Sequence, residues 1–330
     1  MTPGTGRRSP LTVSPEELVF GGPAELTEAE VARRAGVDVL SARLTWRAMG
    51  FSDVGPGVAA FTHADVAALL DLRHLVEAGL VLPDEQLGMV RAVAHALARL
   101  ASWQVGLVGS AVARGAVADP DALAAEVLPI SERLLVHVWR RHLVATAHRA
   151  LTLPGDDSAT RTTAVGFVDL VGFTGLTRSV DDAALGAIVD RFESRASDVV
   201  AGHGGRVVKT IGDEVLFVTD EATAGAETAL DLATELTGDE ALPSVRVGAA
   251  YGPVLDRLGD VYGPVVNIAS RLTAVAHPGT VLVDRGLADA LAAHPAYRLH
   301  RLRPVAVRGY EHLQPTVLRR AATDPDSLDG

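Results

Sequence analysis

A chain of 330 residues with 48% hydrophobic side chains is long enough for two domains with cores of their own. It contains no cysteine, which excludes a disulfide framework, a thiolate-held metal and a thiol nucleophile, so any catalysis runs through oxygen, nitrogen or a bound metal. A formal net charge of −11 argues against broad binding to nucleic acid or to an anionic membrane, both of which need a basic surface.

Met1 to Pro10 carries Arg7 and Arg8 with no apolar run behind them, so no secretory signal is read and a cytoplasmic location is expected. From about Glu25 to Leu151 the pattern is helical. Thr27-Glu28-Ala-Glu30 has the form of a helix start, and apolar residues recur at three- and four-residue spacing through 64–80 and 85–101. The uncharged stretch Leu100 to Ala113 falls short of the roughly 20 apolar residues that cross a bilayer, and is expected as a buried helix. A last helix is expected after Pro129, from the N-cap candidate Ser131 through Trp139 to His148, as a connecting helix over about 130–151. Together these make an all-α domain over 1–153, closed by the turn-rich stretch Pro154 to Thr160.

Beyond that stretch, strands alternate with helices. Strands are expected at Thr163–Leu170, Arg206–Thr210, Glu214–Thr219, Val245–Tyr251, Val281–Asp284, Val305–Val307 and Thr316–Leu318. Helices are expected at Asp182–Val200, Ala222–Leu236 and Val265–Val275. The second half is therefore an α+β domain over 160–320, and the small, acidic segment 321–330 is expected to be disordered.

Three places in this half carry chemistry. Asp169 ends the first strand and Asp213 sits in the tip of the Ile211-Gly212-Asp213 hairpin, so two strand-end carboxylates can share a divalent cation, with Leu170 beside them. Gly172-Phe173-Thr174-Gly follows directly, and backbone N–H groups at a loop entering a helix can cradle phosphates. Asn267 and Arg271 stand four residues apart on one helical face, where an amide and a guanidinium can orient a sugar and neutralise a phosphoryl group. Lys209 is the only lysine among 30 basic residues, so its compact ammonium supplies something that arginine does not. Asp260 precedes the Asn267 helix in what reads as a Gly-rich turn.

The runs Phe167-Val-Asp169-Leu-Val-Gly-Phe-Thr174, Lys209-Thr-Ile-Gly-Asp213-Glu and Asp260-Val-Tyr-Gly-Pro-Val-Val-Asn267-Ile-Ala-Ser-Arg271-Leu, in that order and spacing, resemble the class III nucleotidyl cyclase catalytic domain over roughly Arg161 to Arg320. The resemblance implies a ferredoxin-like, palm-type domain with an antiparallel-rich sheet, two Mg²⁺ or Mn²⁺ ions on Asp169 and Asp213, adenine read by Lys209 and Asp260, and a transition state held by Asn267 and Arg271. It also implies ATP as substrate, cyclic AMP and pyrophosphate as products, and a head-to-tail homodimer whose two sites each draw residues from both subunits. Arg308 is a further phosphate candidate. Pro264 stands where many members carry a polar residue, which removes no chemical group.

Leu26-Thr-Glu-Ala-Glu-Val-Ala-Arg33-Arg34-Ala-Gly-Val and Phe61-Thr-His63-Ala-Asp65-Val resemble the helix-turn-helix of MerR-like regulators, although this half is slightly acidic, so reuse of the scaffold is expected rather than DNA contact. Its place ahead of a cyclase domain also resembles the regulatory module of actinobacterial two-domain adenylyl cyclases, which implies autoinhibition and a response to pH, a proton or a small molecule being the effector. His137, His142 and His148, beside Arg140 and Arg141, are the titratable candidates. Two other readings are a diguanylate cyclase-like enzyme, on the run Gly212-Asp213-Glu214-Val-Leu-Phe217, and a non-catalytic helix-turn-helix sensor that only binds nucleotide.

Overall fold

The computed structural model describes residues 14–116, 120–152, 160–257 and 259–321. The segments read above as lacking a secretory signal (Met1 to Pro10), as a turn-rich boundary (154–159) and as a tail (322–330) lie outside them. The chain divides into two compact units, Met1–Gly155 and Asp156–Gly330.

The first unit holds helices α1 (Pro15–Phe20), α2 (Glu28–Ala35), α3 (Val39–Ala48), α4 (His63–Glu77), α5 (Gln86–Ala113) and α6 (Pro120–Thr152). Thr27 and Glu30 form a reciprocal capping box that starts α2, and Gly36 ends it at φ +69, where the Arg73 guanidinium leaves no room for a Cβ. Leu26 bridges to Phe61, Trp46 stacks on Phe61 at 5.3 Å between centroids, and Val31, Ala35 and Leu69 complete a small core. The result is a helix-turn-helix of α2 and α3 braced by α4. Both arginines of α3 are already engaged within the unit, Arg43 with Glu28 at 3.0 Å and Arg47 with Asp53 at 2.8 Å.

Two expectations for this unit are corrected. Residues 100–113 are helical but mostly exposed, with Trp103 at 64% and Val105 at 73%, because they extend α5 beyond the small core rather than entering it. Among the described residues, α5 is the one helix long and apolar enough to cross a membrane, with a mean hydropathy of 1.2. The last helix starts at Pro120, not after Pro129, and Pro129 lies inside it. A proline there removes one backbone hydrogen bond, and on so exposed a helix water can satisfy the freed carbonyl.

The second unit is built from β1 (Thr160–Leu170), α7 (Phe173–Leu176), α8 (Asp182–Gly202), β2 (Arg206–Ile211), β3 (Glu214–Thr219), α9 (Ala222–Thr237), β4 (Val245–Arg257), β5 (Asp260–Tyr262), α10 (Pro264–Val275), β6 (Val281–Val283), α11 (Arg285–Leu291), β7 (Tyr297–Arg301), β8 (Val305–Val307), β9 (Tyr310–Leu313) and β10 (Thr316–Arg320). The main sheet runs β2-β3-β1-β4-β6-β10-β7, with β5 paired to β4; β8 and β9 form a separate hairpin. Every pair is antiparallel except β4 with β6, as expected of an antiparallel-rich α+β domain. Asp260 opens a short strand rather than lying in a turn, and α11, β7 and β9 are additional to the elements expected from sequence.

Alternation along the central strands sorts side chains onto two faces. Val168, Leu170, Phe217 and Val247 pack under α8, α9 and α11. Val165, Phe167, Leu216 and Ala250 pack under α10. Two glycines allow close layers: a Cβ on Gly166 would meet the Phe217 ring at 2.1 Å, and one on Gly248 would meet the Thr273 backbone nitrogen at 2.2 Å. The second lets α10 lie directly on β4, which fixes the height of everything α10 presents.

Candidate active site

Asp169 follows Val165 and Phe167 on the α10 face at the end of β1. The register sets it opposite Glu214 of β3 on one side and Arg246 of β4 on the other. Arg246 donates from Nε to Asp169 Oδ2 at 2.6 Å and from a terminal nitrogen to the Ala274 carbonyl at 3.1 Å, so it ties the carboxylate to the end of α10. Asp213 lies in the β2–β3 turn after Gly212, whose φ of +66 suits glycine, and its carbonyl accepts from the Leu170 N–H at 3.1 Å. Leu170 itself turns its side chain into the opposite core, so only its backbone is at the site.

These carboxylates crowd one another. Burial pushes the Asp169 carboxyl up, Arg246 pulls it back, and Asp213 raises it again by charge and a shared hydrogen bond. Burial, then the charges of Asp169 and Asp213, push Glu214 up to about 7. Asp169, Asp213 and Glu214 thus raise one another's protonation with Arg246 opposing it; among the described residues no group of three or more His, Asp or Glu is arranged to hold a metal ion, and the donor set offered to a hard cation is the Asp169 and Asp213 pair.

On the edge strand of the same face, a bulge between Val207 and Lys209 shifts the β2–β3 register and leaves Lys209 opposite Leu216. Leu216 belongs to the α10-side core, so Lys209 points to that side. Its Nζ donates to Asp260 Oδ2 at 2.5 Å, and Asp260 Oδ1 accepts from the Val261 N–H at 2.9 Å. Residues 51 apart in sequence thus form one ion pair.

The helix α10 begins with Pro264 at its first turn, where the missing N–H costs nothing. Asn267 is exposed and Arg271 follows one turn later on the same face. The Nε of Arg271 is enclosed and has no hydrogen-bond partner. Gly172, at φ +76, caps the short α7; Phe173 packs on the core and Thr174 is exposed. Arg308 is exposed in the β8–β9 turn, and Tyr310 of that hairpin donates its hydroxyl to the Pro264 carbonyl at 3.5 Å, which sets the hairpin beside the start of α10.

The structure therefore brings together Lys209 with Asp260, and Asp169 with the backbone of the Asp213 turn. Glu214, which the sequence shows only as part of the Gly212–Phe217 run, and Arg246 join the site in the fold. Glu214 faces Asp169 only once β3 pairs with β1; Arg246 lies 77 residues from Asp169 and becomes a neighbour only when β4 pairs with β1.

The carboxylates at the end of β1, the lysine–aspartate pair joining β2 to β5, and the amide and guanidinium of α10 thus belong to one face of the sheet. Residues 157–319 match the adenylate and guanylate cyclase catalytic domain family. An adenylate cyclase of Streptomyces coelicolor is 43% identical over 86% of this chain and 76% of its own length. An adenylate cyclase of Glutamicibacter nicotianae is 39% identical over 91% of this chain and 80% of its own. A pH-sensitive adenylate cyclase of Mycobacterium tuberculosis is 31% identical over 87% and 75%. The chain belongs to the class III nucleotidyl cyclase family, in its two-part form with an N-terminal helical region, and is an enzyme of that class.

Proposed function

We propose that the protein is an adenylyl cyclase that converts ATP to 3′,5′-cyclic AMP and pyrophosphate by attack of the ribose 3′-oxygen on the α-phosphorus. The observation that carries this reading is the Lys209–Asp260 pair. An ammonium has three donors, and the one given to Asp260 leaves two for adenine N1. The Asp260 carboxylate keeps lone pairs for the exocyclic N6 amine. Guanine offers an N–H and a carbonyl at those edges, so both protein groups would meet the wrong partner, at about 1–3 kcal/mol for each unpaired group.

Asp169, Asp213 and the Leu170 backbone would hold Mg²⁺ or Mn²⁺, which take one or two carboxylates and fill their remaining positions with water and phosphate oxygens. When bound, such ions supply Lewis acidity at the ribose hydroxyl and charge neutralisation at the leaving pyrophosphate. The chain's own groups do the remainder. Asn267 orients the ribose, and Arg271, one turn later on the same face of α10, takes charge developing on the α-phosphate. The α7 amides at Phe173 and Thr174, with Arg308, would bind the terminal phosphates.

The active unit is a homodimer joined head to tail through the catalytic domains, with Asp169 and Asp213 of one subunit facing Lys209, Asp260, Asn267 and Arg271 of the other. It works on ATP in the cytoplasm, without a membrane or DNA as partner. The pairing of both α3 arginines inside the helical unit supports the absence of DNA contact. The helical unit regulates the catalytic one, through protons at His137, His142 and His148 on the exposed α6. Replacing all three with Asn in the full chain is expected to flatten the pH profile of activity between about pH 5.5 and 8; an unaltered profile rejects the histidines as sensors. The diguanylate reading has no support from the family match, and the non-catalytic sensor reading leaves the intact site unexplained.

Lys209→Arg tests the base-reading role without changing charge. A planar guanidinium cannot replace a compact ammonium between Asp260 and a ring nitrogen, so kcat/KM for ATP is expected to fall by about tenfold or more. Unchanged steady-state kinetics would show that the lone lysine has no special role.

A further inference from the structure

We propose that Arg206 is a positioning residue for base selection, holding the loop that aims Asp260. Arg206 and Lys209 are three residues apart, and in a regular strand they would point to opposite faces. The bulge in β2 removes that opposition: Arg206 lies opposite Val218 and Lys209 opposite Leu216, and both partners belong to the α10-side core. Two basic side chains of one edge strand therefore reach the β4–β5 hairpin together.

They grip it at different points. Arg206 donates to Asp256 Oδ2 at 2.7 Å and to the Gly259 carbonyl at 3.3 Å, while Lys209 takes Asp260 itself. Arg257 pairs with Asp260 across the hairpin, and Gly259, just before Asp260, has φ +80. Asp260 is the first residue of a three-residue strand, so its aim depends on that turn. The guanidinium fork holds both the strand before the turn and the turn's own carbonyl, which a single-point contact could not do. Without Arg206, Lys209 would still find Asp260, but on a looser hairpin, and the fixed spacing that separates adenine from guanine would be lost. Arg206 acts through Asp260 and touches no substrate.

This inference rests on Lys209 and Asp260 reading the base. The test measures kcat and KM for ATP and GTP with the full chain as wild type, Arg206→Ala, Arg206→Lys, Asp256→Asn and Asp260→Asn; where GTP turnover is too slow to read, GTP serves as a competitive inhibitor. Arg206→Ala and Asp256→Asn are each expected to raise KM for ATP and to lower the preference for ATP over GTP by about tenfold, with kcat nearly kept. Arg206→Lys, which keeps the ion pair with Asp256 but gives up the second contact to the Gly259 carbonyl, is expected to recover the preference only in part. If Asp260→Asn collapses the preference while Arg206→Ala leaves it intact or weakens both nucleotides equally, the role of Arg206 is overturned and the base-reading role stands. If Asp260→Asn also leaves the preference intact, the base-reading role itself fails.

Discussion

Arg271→Ala is expected to lower kcat by about 10² to 10³-fold while changing KM for ATP little. The reason lies in how α10 presents the side chain. Gly248 lets the helix lie directly on β4, and the buried Val265, Ala269 and Leu272 lock its rotation. Arg271 therefore stands on a rigid element, with an Nε that is shielded from solvent and unpaired. A guanidinium that is held in place and engages the α-phosphate only as charge builds there lowers the barrier rather than the ground state. Measured kcat and KM distinguish the two: a rise in KM with unchanged kcat would make Arg271 a ground-state phosphate binder.

Asp213→Asn is expected to abolish activity at any Mg²⁺ or Mn²⁺ concentration and, in the metal-free protein, to raise stability at alkaline pH. The loss of activity follows from removing one of the two carboxylates that would hold the ions. The gain in stability follows from linkage. Glu214 is pushed up to about 7 by burial and by Asp169 and Asp213. A carboxyl whose folded value lies above its unfolded one binds its proton more tightly in the fold, so it contributes stability at low pH and loses it as pH rises from about 4.5 through 7. The penalty is on the order of 1–3 kcal/mol. Removing the Asp213 charge relieves part of it, so thermal unfolding in chelator should show a higher Tm for Asp213→Asn than for wild type at pH 8, and little difference at pH 4.5. Equal Tm values at both pH values would mean that the carboxylates do not interact.

What the sequence could reveal was set by range. Strand β1 and the β2–β3 hairpin are spelled by short apolar runs around Gly212, and α10 by apolar spacing after Pro264, so Asp169, Asp213, Asn267 and Arg271 could be placed on their elements directly. Leu100 to Ala113 misled because apolar content predicts burial only where a partner layer exists, and α5 outruns its core. Pro129 misled because a solvated helix tolerates a proline that a packed one would not. Arg246, Glu214 and the clamp by Arg206 depend on pairing register and on a bulge, which no local pattern announces. Lys209 was legible as a compositional anomaly; that it meets Asp260 across 51 residues was legible only through family resemblance.

The shared dimeric site is tested most directly by mixing Asp213→Asn protein with Arg271→Ala protein and measuring cyclic AMP formation. Each variant alone should be nearly inactive. Random exchange makes half of the dimers mixed, and each mixed dimer has one of its two sites built from intact halves, so about one quarter of wild-type activity should return. No recovery from mixtures in which heterodimers are verified would contradict a site built from two subunits.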